Sequence, residues 1–213
     1  MLEKYLTIKQ EGQHEIVIQK SRFIGHVKRT ETEEEAQEFI AKIKKEHYNA
    51  THNCSAYMIG ENNLIQKAND DGEPSGTAGI PILEVLKKMD LKDTTVVVTR
   101  YFGGIKLGTG GLIRAYSTST SEAIKHVGVV ERSLMQEILI KADYTLLGKL
   151  ENELRASDYL FGSIDYTDKV TIHMFVPKSE TDQFQNWMID LTNNQVELQL
   201  GDIKYVEKDV KIN

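Results

Sequence analysis

Residues 99–120 read TRYFGGIKLGTGGLIRAYSTST, and five glycines in this stretch fall between Gly103 and Gly111. Three cations surround them. A β-prone run, a glycine-rich loop and a helix start together present backbone N–H groups to an anion, above all a phosphate. The candidate ligand-binding set is therefore Arg100, Gly103, Gly104, Lys106, Gly108, Gly110, Gly111 and Arg114. Two familiar phosphate codes fail here. Gly103 and Gly108 have Walker A spacing, but Thr109 stands where lysine is required. A G-x-G-x-x-G pattern begins at Gly108 and Gly110 and breaks at Ile113. The competing reading gives Gly103, Gly104, Gly110 and Gly111 to positive φ and close helix–strand approach. The cations weigh against packing alone, because a helix start prefers acidic neighbours.

Two further stretches carry reactive types. Asp70, Asp71 and Glu73 lie in NDDGEPSGTAG, residues 69–79. They suit Mg²⁺ or acid–base work, although no calcium-loop spacing follows. They equally suit a turn whose Ser75 or Thr77 caps the next helix. They also suit pairing with Arg100 or Arg114. His52 and Cys54 stand two apart on an expected strand and so point the same way. A Cys–His nucleophile needs a third, orienting group, and none is evident. A buried cysteine beside a structural histidine is the plainer reading. No catalytic set emerges, and no cofactor is expected; Mg²⁺ enters only if the acidic loop serves a nucleotide.

The elements that must position these residues follow from periodicity. Residues 14–29 read as two strands broken near Lys20 and Ser21. Residues 31–47 read as a helix, with Ala36, Phe39, Ile40 and Ile43 on one stripe, acidic residues first and lysines last. Strands are expected at 52–60 and 64–68. A helix is expected at 77–89, with Ile80, Leu83 and Leu86 on or near its buried side. TTVVVTRYF reads as a central strand. A helix carrying Leu112, Ala115, Tyr116, Ser119 and Ala123 ends near Gly128. From 133 the order is strand, helix, hairpin, helix, strand: β-α-β-β-α-β, the ferredoxin-like order. The expected domains are 1–132 and 133–213, an α+β chain without repeats.

Composition narrows the classes. The 213 residues carry a net charge of −6, unevenly spread. Up to Arg132 there are 18 Lys+Arg and 18 Asp+Glu, and beyond it 8 and 14. A strongly basic nucleic-acid binder is excluded, and the first part is the better partner for a polyanion. The single cysteine excludes an internal disulfide. MLEKYLTIKQ lacks the form of a secretion signal, and no window has the apolar length of a membrane span, so a cytoplasmic protein is expected.

HNCSAY, DDGEPSGTAGIPILEVL and VVVTRYFGGIKLGTGGLIRAYS together resemble the IMPACT family, in its bacterial branch. The resemblance covers roughly residues 15–130, and residues 133–213 look like the small domain that bacterial members add. It implies a two-layer α/β first domain, like elongation factor G domain IV, followed by a ferredoxin-like domain. It implies a role near translation, with RNA or the ribosome as partner through the glycine-rich basic loop. A nucleotide- or phosphate-binding enzyme and a protein–protein adaptor in a stress pathway are the alternatives.

Overall fold

The computed structural model describes residues 1–211. In chain order the elements are β1 (Lys4–Ile8), β2 (Gly12–Ile18), β3 (Ser21–Arg29), α1 (Glu33–Glu46), β4 (His52–Ile59), β5 (Ile65–Asn69), α2 (Gly79–Lys88), β6 (Thr94–Tyr101) and α3 (Gly108–Val127). There follow β7 (Val129–Ala142), α4 (Tyr144–Ala156), β8 (Leu160–Tyr166), β9 (Val170–Pro177), α5 (Thr181–Thr192) and β10 (Glu197–Val210). The chain divides into two units. Among the described residues, one comprises 5–131 with 208–211; the other comprises Met1–Lys4 with Arg132–Glu207.

The first unit is built on an antiparallel sheet in the order β2-β3-β6-β4-β5. The β-branched run TTVVV supplies its central strand, as its propensity predicts. Side chains alternate across this strand. Val96 and Val98 join the large core with Ile82, Leu86 and Tyr116, from α2 and α3. Val97 faces the other way, against Phe39 and Ile43 of α1. Helices therefore cover both faces: α2 and α3 one, α1 the other. The α1 helix starts where the Thr32 side chain accepts the Glu35 N–H, and it carries Glu33–Glu35 first and Lys44–Lys45 last. Ile80 does not belong to the buried stripe of α2. It is 49% exposed, because the buried face runs through Ile82, Leu83 and Leu86.

The second unit orders its main strands β10-β7-β9-β8. With α4 and α5 between them this is the ferredoxin-like arrangement. Ile138, Ile140, Ile172 and Met174 meet Leu150, Leu154, Phe184 and Met188 in its core. β1, whose residues Tyr5–Ile8 belong to the first unit, pairs with β7, whose first residues Val129–Glu131 belong to that unit too. This short strand, KYLTI, has too few residues to show a period and is absent from the sequence reading.

Candidate functional site

Register places the chemistry. In the central sheet, Arg100 of β6 stands opposite Phe23 of β3 and His52 of β4, and Cys54 opposite Val98. Since strand side chains alternate, all four share the face under α2 and α3. The loop 70–78 brings Glu73 over this end of the sheet, and α3 brings Tyr116.

Glu73 is the centre of the cluster. Its Oε1 lies 2.6 Å from Arg100 Nη1 and accepts the Tyr116 hydroxyl at 2.7 Å. Both ionic side chains are nearly inaccessible, 6% exposed for Arg100 and 3% for Glu73. The Tyr116 hydroxyl in turn accepts from the Cys54 thiol at 3.3 Å, and the thiol also reaches the Asp70 carbonyl at 3.0 Å. The Arg100 guanidinium lies 5.3 Å from the Phe23 ring, which meets Tyr116 edge-on. Burial pushes the Cys54 thiol up to about 12. Burial, joined by Cys54 and Glu73, also raises the Tyr116 hydroxyl well above its ordinary value. Both therefore stay protonated at neutral pH, and Cys54 is not a nucleophile.

The acidic loop serves three separate purposes. Asp70 accepts from the backbone of Gly76, Ala78 and Gly79 and so caps α2. Burial pulls its carboxyl upward, but the bonds from Gly76, Gly79 and Ala78 outweigh this and hold it below the ordinary value. Ser75 and Thr77 do not cap this helix. Thr77 donates back to the Pro74 carbonyl instead, and the twin oxygens of Asp70 reach more N–H groups than one hydroxyl can. Asp71 takes Lys44 at 2.6 Å and the Asn53 N–H at 2.7 Å. The carboxylates do not converge, and among the described residues no three His, Cys, Asp or Glu side chains are grouped to hold a metal ion.

The glycine loop divides likewise. Gly104 and Gly108 hold positive φ, at 84° and 70°. Gly103 lies against the backbone of Lys20 and Ser21, where a Cβ would collide. Gly110 and Gly111 are not loop residues at all; they belong to the first turn of α3. A Cβ on Gly110 would meet nothing within 4 Å, so packing does not explain a glycine that costs a helix about 1 kcal/mol against alanine. The expected ring of three surface cations is also revised. Arg100 is internal and committed to Glu73. Lys106 and Arg114 are exposed, and neither has a hydrogen bond or ion pair among the described residues. Phe102, Ile105 and Ile113 are exposed beside them.

A cavity of about 470 Å³ opens at this end of the sheet, bounded by His52, Glu73, Arg100, Phe102, Lys106 and Thr109 among others. It brings together residues from all three stretches singled out by type, but leaves Arg114 outside and Cys54 beneath. Tyr116 is the member that chemistry-first reading places only as packing. The available signal is its hydroxyl, which needs a partner when a stripe position is buried.

Comparison with known proteins bears on the whole chain. A family model described as Impact N-terminal domain matches residues 19–124, and one described as a domain of unknown function (DUF1949) matches 140–195. The chain is 62% identical over 210 residues to IMPACT family member YvyE of Bacillus subtilis (strain 168), covering 99% of this chain and 97% of that one. It is 33% identical over 183 residues to IMPACT family member YigZ of Escherichia coli (strain K12), 85% and 90% of the two chains. Protein IMPACT-B of Xenopus tropicalis matches at 36% over 98 residues, 44% of this chain and 30% of that protein. A crystal structure of a hypothetical protein aligns at a TM-score of 0.60 and 30% identity, covering 95% and 99%.

Proposed function

The chain belongs to the IMPACT family, and on that premise we propose that it is a translation-associated binding protein that holds RNA, on its own or in the ribosome, along residues 102–114. The observation that carries this reading is the exposed start of α3. The helix has no side-chain cap and no acidic residue in its first turn. Two exposed cations, Lys106 and Arg114, accompany it, and Phe102, 47% exposed, lies on the same segment. A helix N-terminus with lysine and arginine suits phosphates, and an exposed ring suits an unstacked base. Such contacts give affinity with little sequence preference and a steep salt dependence. Arg100 positions the loop from beneath and does not touch the RNA.

Co-sedimentation with ribosomes across a salt series, with and without RNase, tests this. Lys106→Ala with Arg114→Ala should weaken binding at every salt concentration and reduce the salt slope by roughly 1–2. Binding that is unchanged in the double variant, or that survives RNase, overturns the reading; the second result favours the protein adaptor.

A further inference from the structure

The sheet of the first unit ends at β5, which pairs only with β4. The outer backbone edge of β5 takes no hydrogen bond among the described residues, and four of its five residues are exposed. Natural sheet edges are blunted by proline, a bulge or charge. β5 has no proline, its register against β4 runs unbroken from Ile65 to Asn69, and Lys67 is its one charged residue. Leu64 and Ile65, 85% and 40% exposed, add apolar surface at its start. Beside this edge, a cavity of about 240 Å³ lies between α1 and the strands. Ile40, Ala41 and Lys44 of α1, Ser55 and Tyr57 of β4, and Lys67 of β5 line it. Two of these groups have unmet bonding capacity. Ser55 is 4% exposed, and its hydroxyl makes no hydrogen bond among the described residues. A hydroxyl set so deeply gains from a partner. Lys67 lies 4.0 Å from Glu33, beyond hydrogen-bond reach, and Glu33 already accepts the Tyr57 hydroxyl.

We propose that an extended peptide segment of a partner protein adds to β5 as a sixth strand, turning a tyrosine into this cavity and setting a carboxylate beside Lys67. Strand addition takes affinity from main-chain hydrogen bonds and specificity from pockets that receive alternate side chains. Ser55 stands opposite Asn69, and Tyr57 opposite Lys67. All four therefore share the α1 face, where residues two apart on an added strand would also point. Ser55 lies two strands in from that position, roughly 10 Å, so only a long side chain reaches it. Tyrosine suits the place, with an apolar ring against Ile40 and Ala41 and a hydroxyl for Ser55. The carboxylate two residues away pairs across the strands with Lys67. That lysine guards the edge against indiscriminate pairing and selects an acidic partner. Neither Ser55 nor Lys67 belongs to residues 102–114, so this surface is separate from the RNA reading.

Amide exchange and chemical shifts of the full chain, followed by NMR with the capped heptapeptide TVYVEVT, test the proposal. Every second amide of β5 should exchange at least tenfold more slowly at saturating peptide. TVFVEVT, which lacks the hydroxyl, should bind about fivefold more weakly to the wild type and equally with TVYVEVT to Ser55→Ala. The wild type should prefer TVYVEVT to TVYVKVT, and Lys67→Glu should reverse that order. Shifts confined to the cavity with unchanged exchange along β5 assign the cavity to a free small ligand and overturn the strand. Absence of any shift at millimolar TVYVEVT, or equal binding of the tyrosine, phenylalanine and lysine peptides to the wild type, overturns the proposal as well. The wild-type comparisons decide this even if a variant does not fold.

Discussion

Glu73 holds a buried guanidinium and a buried phenol on one oxygen, and removing it strands both. Breaking a buried ion pair from one side costs about 3–5 kcal/mol. Glu73→Ala should therefore lower stability by that order in urea denaturation, and a loss under about 1 kcal/mol would remove Glu73 from its central role. His26 makes a second case at this scale, on the α1 side of the sheet. Burial, then the neighbouring His47 and Lys42, lower its ring from the ordinary 6.5 to about 4. Its Nε2 is buried without a hydrogen-bond partner among the described residues. As pH falls, the unfolded chain takes this proton before the folded one does. Stability from this group is therefore intact above pH 6.5 and is lost progressively down to about 4. The full loss is on the order of 3 kcal/mol. Denaturation midpoints across that window should fall in the native protein and flatten in His26→Gln; parallel slopes would assign the loss to other groups. The residue types of this neighbourhood are plain in the sequence, but their pairing is not. Asp70, Asp71 and Glu73 look alike as three carboxylates in one loop. Only the backbone path through Gly72 and Pro74 sends one to a helix start, one to Lys44 and one to Arg100.

Among the elements, the glycine loop with α3 separates what pattern can and cannot say. A strand, a glycine run and an amphipathic helix are readable from β-propensity and the apolar stripe. Which glycine does what depends on φ and on neighbours far along the chain, such as Lys20 against Gly103. Opposite outcomes are expected for two formally identical changes. Gly103→Ala drives a Cβ into the Lys20 backbone and should cost about 2 kcal/mol or more. Gly110→Ala enters open space on a helix and should stabilise the unliganded protein by up to about 1 kcal/mol. Thermal melts of the two variants check this; a destabilised Gly110→Ala would show that packing does require that glycine. The apolar stripe and charge polarity of the α1 helix were legible because those signals are local, whereas its cap, Thr32, was not singled out. β1 was not legible, because five residues are too few to show a period and gain strand form from partners far along the chain, β7 and the bridge from Leu6 to Leu91.

At the scale of the molecule, the switch in element order near 130 reveals two units, and the excess of acid beyond Arg132 falls in the second. The chain ends escape such reading. Met1–Lys4 belong with the second unit, while Val210 packs against the core of the first, and Asp209 pairs with Lys9 at 2.6 Å. Ending the chain at Glu207 should therefore lower the stability of the first unit by roughly 1 kcal/mol, from the lost apolar burial of Val210 more than from an exposed ion pair. Hydrogen exchange at the amides of β2 and β3 reports this, and unchanged protection there would refute it. Membership by distant residues also sets a timetable. A chain made from its N-terminus presents the core of the first unit well before residue 210 exists. Newly made molecules thus pass through a stage in which that unit lacks the Val210 side chain, and this part of its packing waits until residue 210 has been made.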